Sequence, residues 1–339
     1  MARRILLGLT LLATSLPLLA MGDAAVVPCI TYSTVPGYFL QDDPAVDPKT
    51  FDYAKEGFGL IDQAYDTDET LDAELKKLPW PRFEHKVRSL NKHAASNVRF
   101  AVLFLGRHGQ GFHNVAEAYY GTKAWDVLYR TTGSKLDGNG TITWSDAHLT
   151  EEGISQAKVA RDTWAAQMKN SIPLPEVYYT SPLDRCLATA KFTFSELELP
   201  PSKPFIPTVK ELLRETLGVH TCDRRSSRDY IESTYPTYKI EPGFTQNDML
   251  WDPEVRESDS DRDARLKKLL DDIFSHDKST FMSLTAHGGA IRSILNAVGH
   301  REFGLQTGAV IPVLIRIETS TDAPENPKDD LTIKIQGLN

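Results

Sequence analysis

The stretch VRFAVLFLGRHGQGFHN, Val98 to Asn114, joins an apolar run to a dense polar segment. Phe100 to Leu105 is apolar at every position, the pattern of a strand buried on both faces rather than one with a wet side. Strands of that kind belong to mostly parallel sheets, where ligands gather beyond the carboxyl ends of the strands. Arg107 and His108 fall at that end, and Gly109 lets the backbone turn closely around a bound anion.

Working outward, strand-like and helix-like segments alternate. Glu152 to Lys169 carries Ile154, Ala157, Ala160, Trp164 and Met168 at helical spacing, after Thr150 as an N-cap. Glu176 to Thr180 reads as a strand. Ser181-Pro182-Leu183-Asp184 then opens a helix, with a serine cap, proline at the first helical position and an acidic residue three after the cap. Phe205 to Pro207 reads as a short strand, Asp261 to Phe274 as a helix, Thr280 to Thr285 as a strand and Gly289 to Val298 as a helix. Ala309 to Glu318 and Leu331 to Ile335 are two further strands. The fold class is α/β, a doubly wound, mostly parallel sheet with helices on both faces.

The first residues, MARRILLGLTLLATSLPLLAMGDAA, combine two arginines, an apolar core broken by Pro17 and small residues after it. Residues 1–20 therefore read as a cleavable signal peptide, and the expected location is the secretory pathway or outside the cell, with no stable membrane association. Residues 21–97 read as an extension packed on the core. The main domain follows over 98–339, with a lid insertion at about Val219 to Ser260. Asn139-Gly140-Thr141 is a glycosylation sequon in a turn-rich stretch. Cys29, Cys186 and Cys222 permit one disulfide and one free thiol, and without a C-x-x-C pair they make a poor metal site. The net charge of −8, about −10 without the two signal arginines, argues against a surface for nucleic acid. An anionic ligand must be caught by a local pocket.

Such a pocket is assembled from the strand ends. Gly106-Arg107-His108-Gly109, Ser181-Pro182-Leu183-Asp184-Arg185, Thr285-Ala286-His287-Gly288-Gly289 and the run ELLRETLG from Glu211 would meet at one edge of the sheet. Two arginines, two histidines and two helix N-termini there make a site for a dianion such as phosphate.

The motif L-x-R-H-G with asparagine five residues after its glycine (Leu105 to Asn114), HLTEEGISQA (His148 to Ala157), TSPLDRCLATA (Thr180 to Ala190), LRETLG (Leu213 to Gly218) and LTAHGGAIRSIL (Leu284 to Leu295) together resemble the histidine phosphatase superfamily, in its phosphoglycerate-mutase-like branch. The string ELLRETLGVHTCDRRSS is similar to the fungal and plant phosphomutase-like subgroup. The resemblance implies that His108 is the nucleophile, forming a phosphohistidine. Arg107, Arg185 and His287 would hold the phosphoryl oxygens, with Asn114 as a neutral donor. It also implies Glu215 as the general acid, with Glu211 one turn away as the rival. No metal or other cofactor is required when arginines supply the charge.

Other residues carry two readings each. His113 lines the entrance or is structural. His220, Asp223, Arg224 and Arg225 touch the leaving group or form a surface charge cluster. His148 is read as structural, and Cys186 as packing beneath the phosphate-binding helix. The leading function is a secreted phosphatase acting on a small phosphorylated substrate. The alternatives are a phosphomutase, or the same fold redirected to a small metabolite without phosphate, with Tyr119, Tyr120, Trp125 and Trp251 lining an apolar pocket. The sequence lacks H-E-x-x-H, G-x-S-x-G and G-x-x-x-x-G-K-[ST], which removes the chemistry of zinc proteases, α/β-hydrolases and P-loop enzymes.

Overall fold

The computed structural model describes residues 29–71, 76–126, 134–137 and 140–320. The signal segment, Asn139 of the sequon and the strand expected at Leu331 to Ile335 lie outside the described residues. Ile30–Ser320 forms one compact unit.

In chain order its elements are β1 (Cys29–Thr34), α1 (Asp68–Leu71), α2 (Pro79–His93), β2 (Val98–Arg107), α3 (Phe112–Tyr120), α4 (Thr122–Ala124), β3 (Ser134–Asp137), β4 (Gly140–Thr143), α5 (Glu151–Lys169), β5 (Val177–Thr180) and α6 (Asp184–Phe194). Then come β6 (Thr208–Val209), α7 (Arg228–Thr234), β7 (Lys239–Ile240), α8 (Asp259–His276), β8 (Phe281–Ala286), α9 (Gly288–Ala297) and β9 (Val310–Ser320). Seven strands form the main sheet in the order β1-β9-β2-β8-β5-β6-β7. β2, β8, β5, β6 and β7 run parallel, and β9 is antiparallel to β2.

The apolar run that opened the sequence occupies the middle of this sheet. Ala101, Leu103 and Leu105 face one core, with Leu266, Leu270 and Ile273 of α8 and Ile291 and Ile294 of α9. Val102 and Phe104 face the other, with Trp80 and Phe83 of α2 and Ala160 and Trp164 of α5. Helices cover both sides, which is why β2 alternates direction without alternating polarity. The Phe104 and Phe58 rings each lie 4.8 Å from Trp164, so the N-terminal extension contributes to this core as well as to the sheet edge. Gln41, fully buried, donates to the Pro312 carbonyl of β9 at 2.9 Å.

Four local expectations change. The strand expected at Phe205 to Pro207 forms instead at Thr208–Val209, because these two residues are the ones in register with Tyr179 and Thr180 of β5. Ser181 is not a helix cap: its N–H donates to Thr285 at 3.0 Å, continuing the ladder, and α6 starts only at Asp184. Cys29, Cys186 and Cys222 are all free thiols. The segment expected as a lid is in part a sheet edge, since it contains β7.

Candidate functional site

The parallel strands β2, β5 and β8 end side by side. The His108 N–H donates to Ala286 O at 2.9 Å, which places the polar residues after β2 against those after β8. Gly109 has a different reason from close approach to an anion. A Cβ there would lie 2.2 Å from the Gly153 carbonyl oxygen, and a Cβ on Gly153 would lie 2.1 Å from Gln110 O. The two glycines let the post-β2 loop press against the first turn of α5, whose cap, Thr150, accepts from Gly153 N at 3.1 Å.

A cavity of about 300 Å³ opens here, lined by Arg107, His108, His113, Asn114, Arg185 and Glu215 among others. A larger cavity, about 530 Å³, lies by Phe194, Phe205 and Tyr235 and holds none of these groups.

His108 is buried, and its Nδ1 lies 2.7 Å from Gly109 O. A carbonyl only accepts, so Nδ1 carries the proton and Nε2 keeps its lone pair. Burial, reinforced by Arg185 and Arg107, holds the His108 pKa well below its ordinary 6.5. The ring is therefore neutral and nucleophilic at neutral pH. His287 stands behind it, ring centroids 5.1 Å apart, with Nε2 2.7 Å from Ser181 Oγ. His113 is buried with its ring 5.5 Å from His108, a closer position than an entrance residue would hold.

Arg107 is held by a carbonyl and Arg185 by a carbonyl and a carboxylate, and each keeps further N–H donors. Arg107 Nη1 donates to Leu305 O at 2.7 Å, and Arg185 donates to Cys222 O and to Asp223 Oδ1, the latter at 3.0 Å. Arg107 Nε and Arg185 Nε are buried with no partner. Both guanidinium groups line the cavity and bring positive charge to it beside His108. Asn114 accepts from Gly111 N at 3.0 Å through Oδ1, which leaves its Nδ2 as a donor.

One N–H at each helix N-terminus is taken by a carboxylate. The Gly289 N–H of α9 donates to Glu215 Oε2 at 2.9 Å, and the Asp184 N–H of α6 donates to Asp146 at 2.9 Å. Arg107, Arg185 and Asn114 bring side-chain donors to the cavity. Glu215 and its rival are separated by the same geometry. Glu211 is held by Arg214 and Arg225 at 3.0 and 2.8 Å and does not line the cavity, whereas Glu215 does.

The structure places the remaining sequence candidates on both sides of their alternatives. His220 lines the cavity, 3.4 Å from Asp126, and Asp223 lines it while pairing with Arg185. Arg224 does not: it is exposed, with its guanidinium 5.3 Å over the Trp251 ring. Arg225 is buried over Phe244 at 4.1 Å. His148 bonds to Asp184, and that hydrogen bond raises its pKa. Cys186 is buried with its Sγ 3.3 Å from His287 Nε2, and burial pushes its thiol pKa up, which suits packing rather than attack. Of the four aromatics named for an apolar pocket, Trp125 alone lines the cavity, and Tyr119 is 79% exposed.

Sequence reasoning missed Arg256, Arg262 and Arg292, which also line the cavity. Arg292 was within reach of the sequence, four residues beyond Gly288 on a helix that starts at the site. Arg256 and Arg262 have no local signal. Ligand-type atoms of His220, Cys222 and Asp223 lie within 4.8 Å of one another, but the two Asp223 oxygens already accept from Arg185 and Arg256. That pairing opposes a cation there.

The three neutral histidines make stability depend on pH. Burial is the leading cause that holds His108, His113 and His287 well below 6.5. The unfolded chain takes up protons near 6.5 that the folded chain refuses, so stability falls as pH drops below that value. The slope is at most about 1.4 kcal/mol per pH unit for each ring. Urea unfolding midpoints should therefore decrease from pH 7 to 5.5, a window above most carboxylate titrations, and less steeply for His113→Gln. An equal slope in that variant would show that His113 is not a buried neutral group.

Residues 131–306 match the family model of the histidine phosphatase superfamily (branch 1). The chain is 94% identical over 339 residues to a probable phosphoglycerate mutase of Arthroderma benhamiae, covering 100% of both. It is 33% identical over 299 residues to phosphomutase-like protein 3 of Candida albicans, covering 87% of this chain and 83% of that one. Among solved structures, a mycobacterial glucosyl-3-phosphoglycerate phosphatase complexed with VO3 is 21% identical, covers 66% of this chain and 100% of its own, and superposes with a TM-score of 0.38.

Proposed function

Since the chain belongs to the histidine phosphatase superfamily, as a phosphoglycerate-mutase-like member, we propose that it hydrolyses a small phosphate monoester through a phosphohistidine on His108. The observation that carries this reading is the pair of guanidinium groups, Arg107 and Arg185, lining one cavity with a neutral His108.

The reaction has two steps. The Nε2 lone pair of His108 attacks phosphorus, the P–N bond forms as the P–O bond to the leaving group breaks, and Glu215 gives its proton to the departing oxygen. Glu215 then takes a proton from water as the water oxygen attacks phosphorus, the P–N bond breaks and phosphate leaves. Arg107 and Arg185 neutralise the phosphoryl charge throughout, with His287 and the Asn114 amide as neighbouring polar groups.

A mutase is the second reading, favoured by the names its relatives carry. The two differ in the acceptor. Phosphate release from simple esters without a bisphosphate primer supports hydrolysis, and turnover only with such a primer overturns it.

The acid assignment has its own test. Glu215→Gln should slow alkyl phosphates, which need protonation to leave, by about 10² or more. Activated aryl phosphates, which leave without help, should change by less than about tenfold. Equal slowing of both would remove Glu215 from the acid role.

A further inference from the structure

Both oxygens of the Glu215 carboxylate have donors, and the donors are unequal. Oε1 accepts from Thr216 N at 2.9 Å and from Thr216 Oγ1 at 3.2 Å. Oε2 accepts from Gly289 N alone, at 2.9 Å. A carboxylate oxygen offers two lone-pair directions. Oε1 is thus filled, and Oε2 retains one.

The Thr216 hydroxyl could in principle turn either way, and its direction is set from outside. Arg262 Nη1 donates to Thr216 Oγ1 at 2.9 Å. A guanidinium has no acceptor, so the hydroxyl oxygen receives and its own O–H points on to Oε1. Arg262 cannot easily rotate away. It is buried, its Nε donates to Ser293 Oγ at 3.0 Å, and Nη1 lies 2.8 Å from Asp259. The Thr216 backbone is also fixed, because its carbonyl accepts from Arg256 Nη1 at 2.9 Å.

We propose that Thr216, oriented by Arg262, is a positioning residue that saturates Oε1 of Glu215 and so directs the transferable proton to Oε2. The inference rests on the reading of Glu215 as the acid. In the first step the proton leaves Oε2 for the departing oxygen as the P–O bond breaks, and in the second a proton of the attacking water returns to Oε2. Without the Thr216 hydroxyl, Oε1 has an open direction of its own. The proton then divides between two positions.

The experiment compares wild type, Glu215→Gln, Thr216→Val and Thr216→Ser on one alkyl and one activated aryl phosphate, with thermal unfolding of each. The expected result is that Thr216→Val lowers kcat for the alkyl ester about tenfold, the scale of one hydrogen bond to a charged group, with KM and the aryl ester nearly unchanged. Thr216→Ser, which keeps the hydroxyl, should restore most of the rate. If Thr216→Val does not fold, Thr216→Ala, smaller at the same place, takes its part. Equal rates on both esters for the Thr216 variants, with Glu215→Gln still selective, would overturn the positioning role alone. Loss of selectivity in Glu215→Gln itself would overturn the acid assignment and this inference with it.

Discussion

His108→Ala is expected to remove turnover of phosphate esters, by about 10⁴-fold or more, because the variant cannot form the phosphohistidine through which both steps run. The loss should be chemical and not structural. His108 sits beside His113 and His287, whose neutral rings remain. Removing a third buried imidazole also removes one group that resists protonation below pH 6.5, so the variant should lose less stability on acidification than wild type. Quenching in base during turnover should trap an acid-labile phosphoryl group on wild type and none on the variant. Equal turnover by His108→Ala, or a label that persists in it, would end the phosphohistidine reading.

Gly289→Ala should have the second largest effect, and activity and stability should move in opposite directions. Gly289 lies in the first turn of α9, where alanine is intrinsically a better helix former by about 1 kcal/mol. The added Cβ, however, would lie 2.1 Å from Glu215 Oε1 and 3.3 Å from Arg262 Cζ. The carboxylate is the softer neighbour and must move, breaking its bonds to Thr216 or to Gly289 N. Alkyl phosphates should then be hydrolysed about 10²-fold more slowly, with the thermal midpoint unchanged or raised. An active Gly289→Ala enzyme would show that Glu215 works from another position. A variant that unfolds would overturn the stability half of this expectation.

The contrast between these positions shows how the site is built. His108 and Arg107 are carried by β2, and their environment follows from a strand buried on both faces. Glu215 is carried by a loop with no regular structure, and it is held by groups from two other elements. Its bond to Gly289 spans 74 residues, and the bond from Arg262 to Thr216 spans 46. Sequence patterns report neighbours within a turn of helix or a few residues of strand. Contacts of that span leave no such pattern.

The same distinction explains the corrections. Ser181-Pro182-Leu183-Asp184 has the composition of a helix start, but the ladder to Thr285 and the contact of Ser181 Oγ with His287 keep Ser181 extended. Arg224 and Arg225 are adjacent and alike in sequence. One stacks on Trp251 at the surface and the other is buried against Glu211, because the loop alternates its faces there. Gly109 was legible as a close approach, and its partner, the Gly153 carbonyl, was not.

The amino-acid sequence by itself determined the central strand, the α/β alternation, the R-H-G motif at its end and the recurrence of histidine and arginine at several strand ends. Each of these rests on local composition and on the two- and 3.6-residue periods of the backbone. Only the tertiary structure decided which glutamate lines the cavity and which donors are closed by other groups. It also brought Arg256, Arg262 and Arg292 to the cavity wall. The reason is physical. Hydrogen bonds and charge pairs act over about 3 to 4 Å, and in this protein those distances are met between residues that the chain separates by tens of positions.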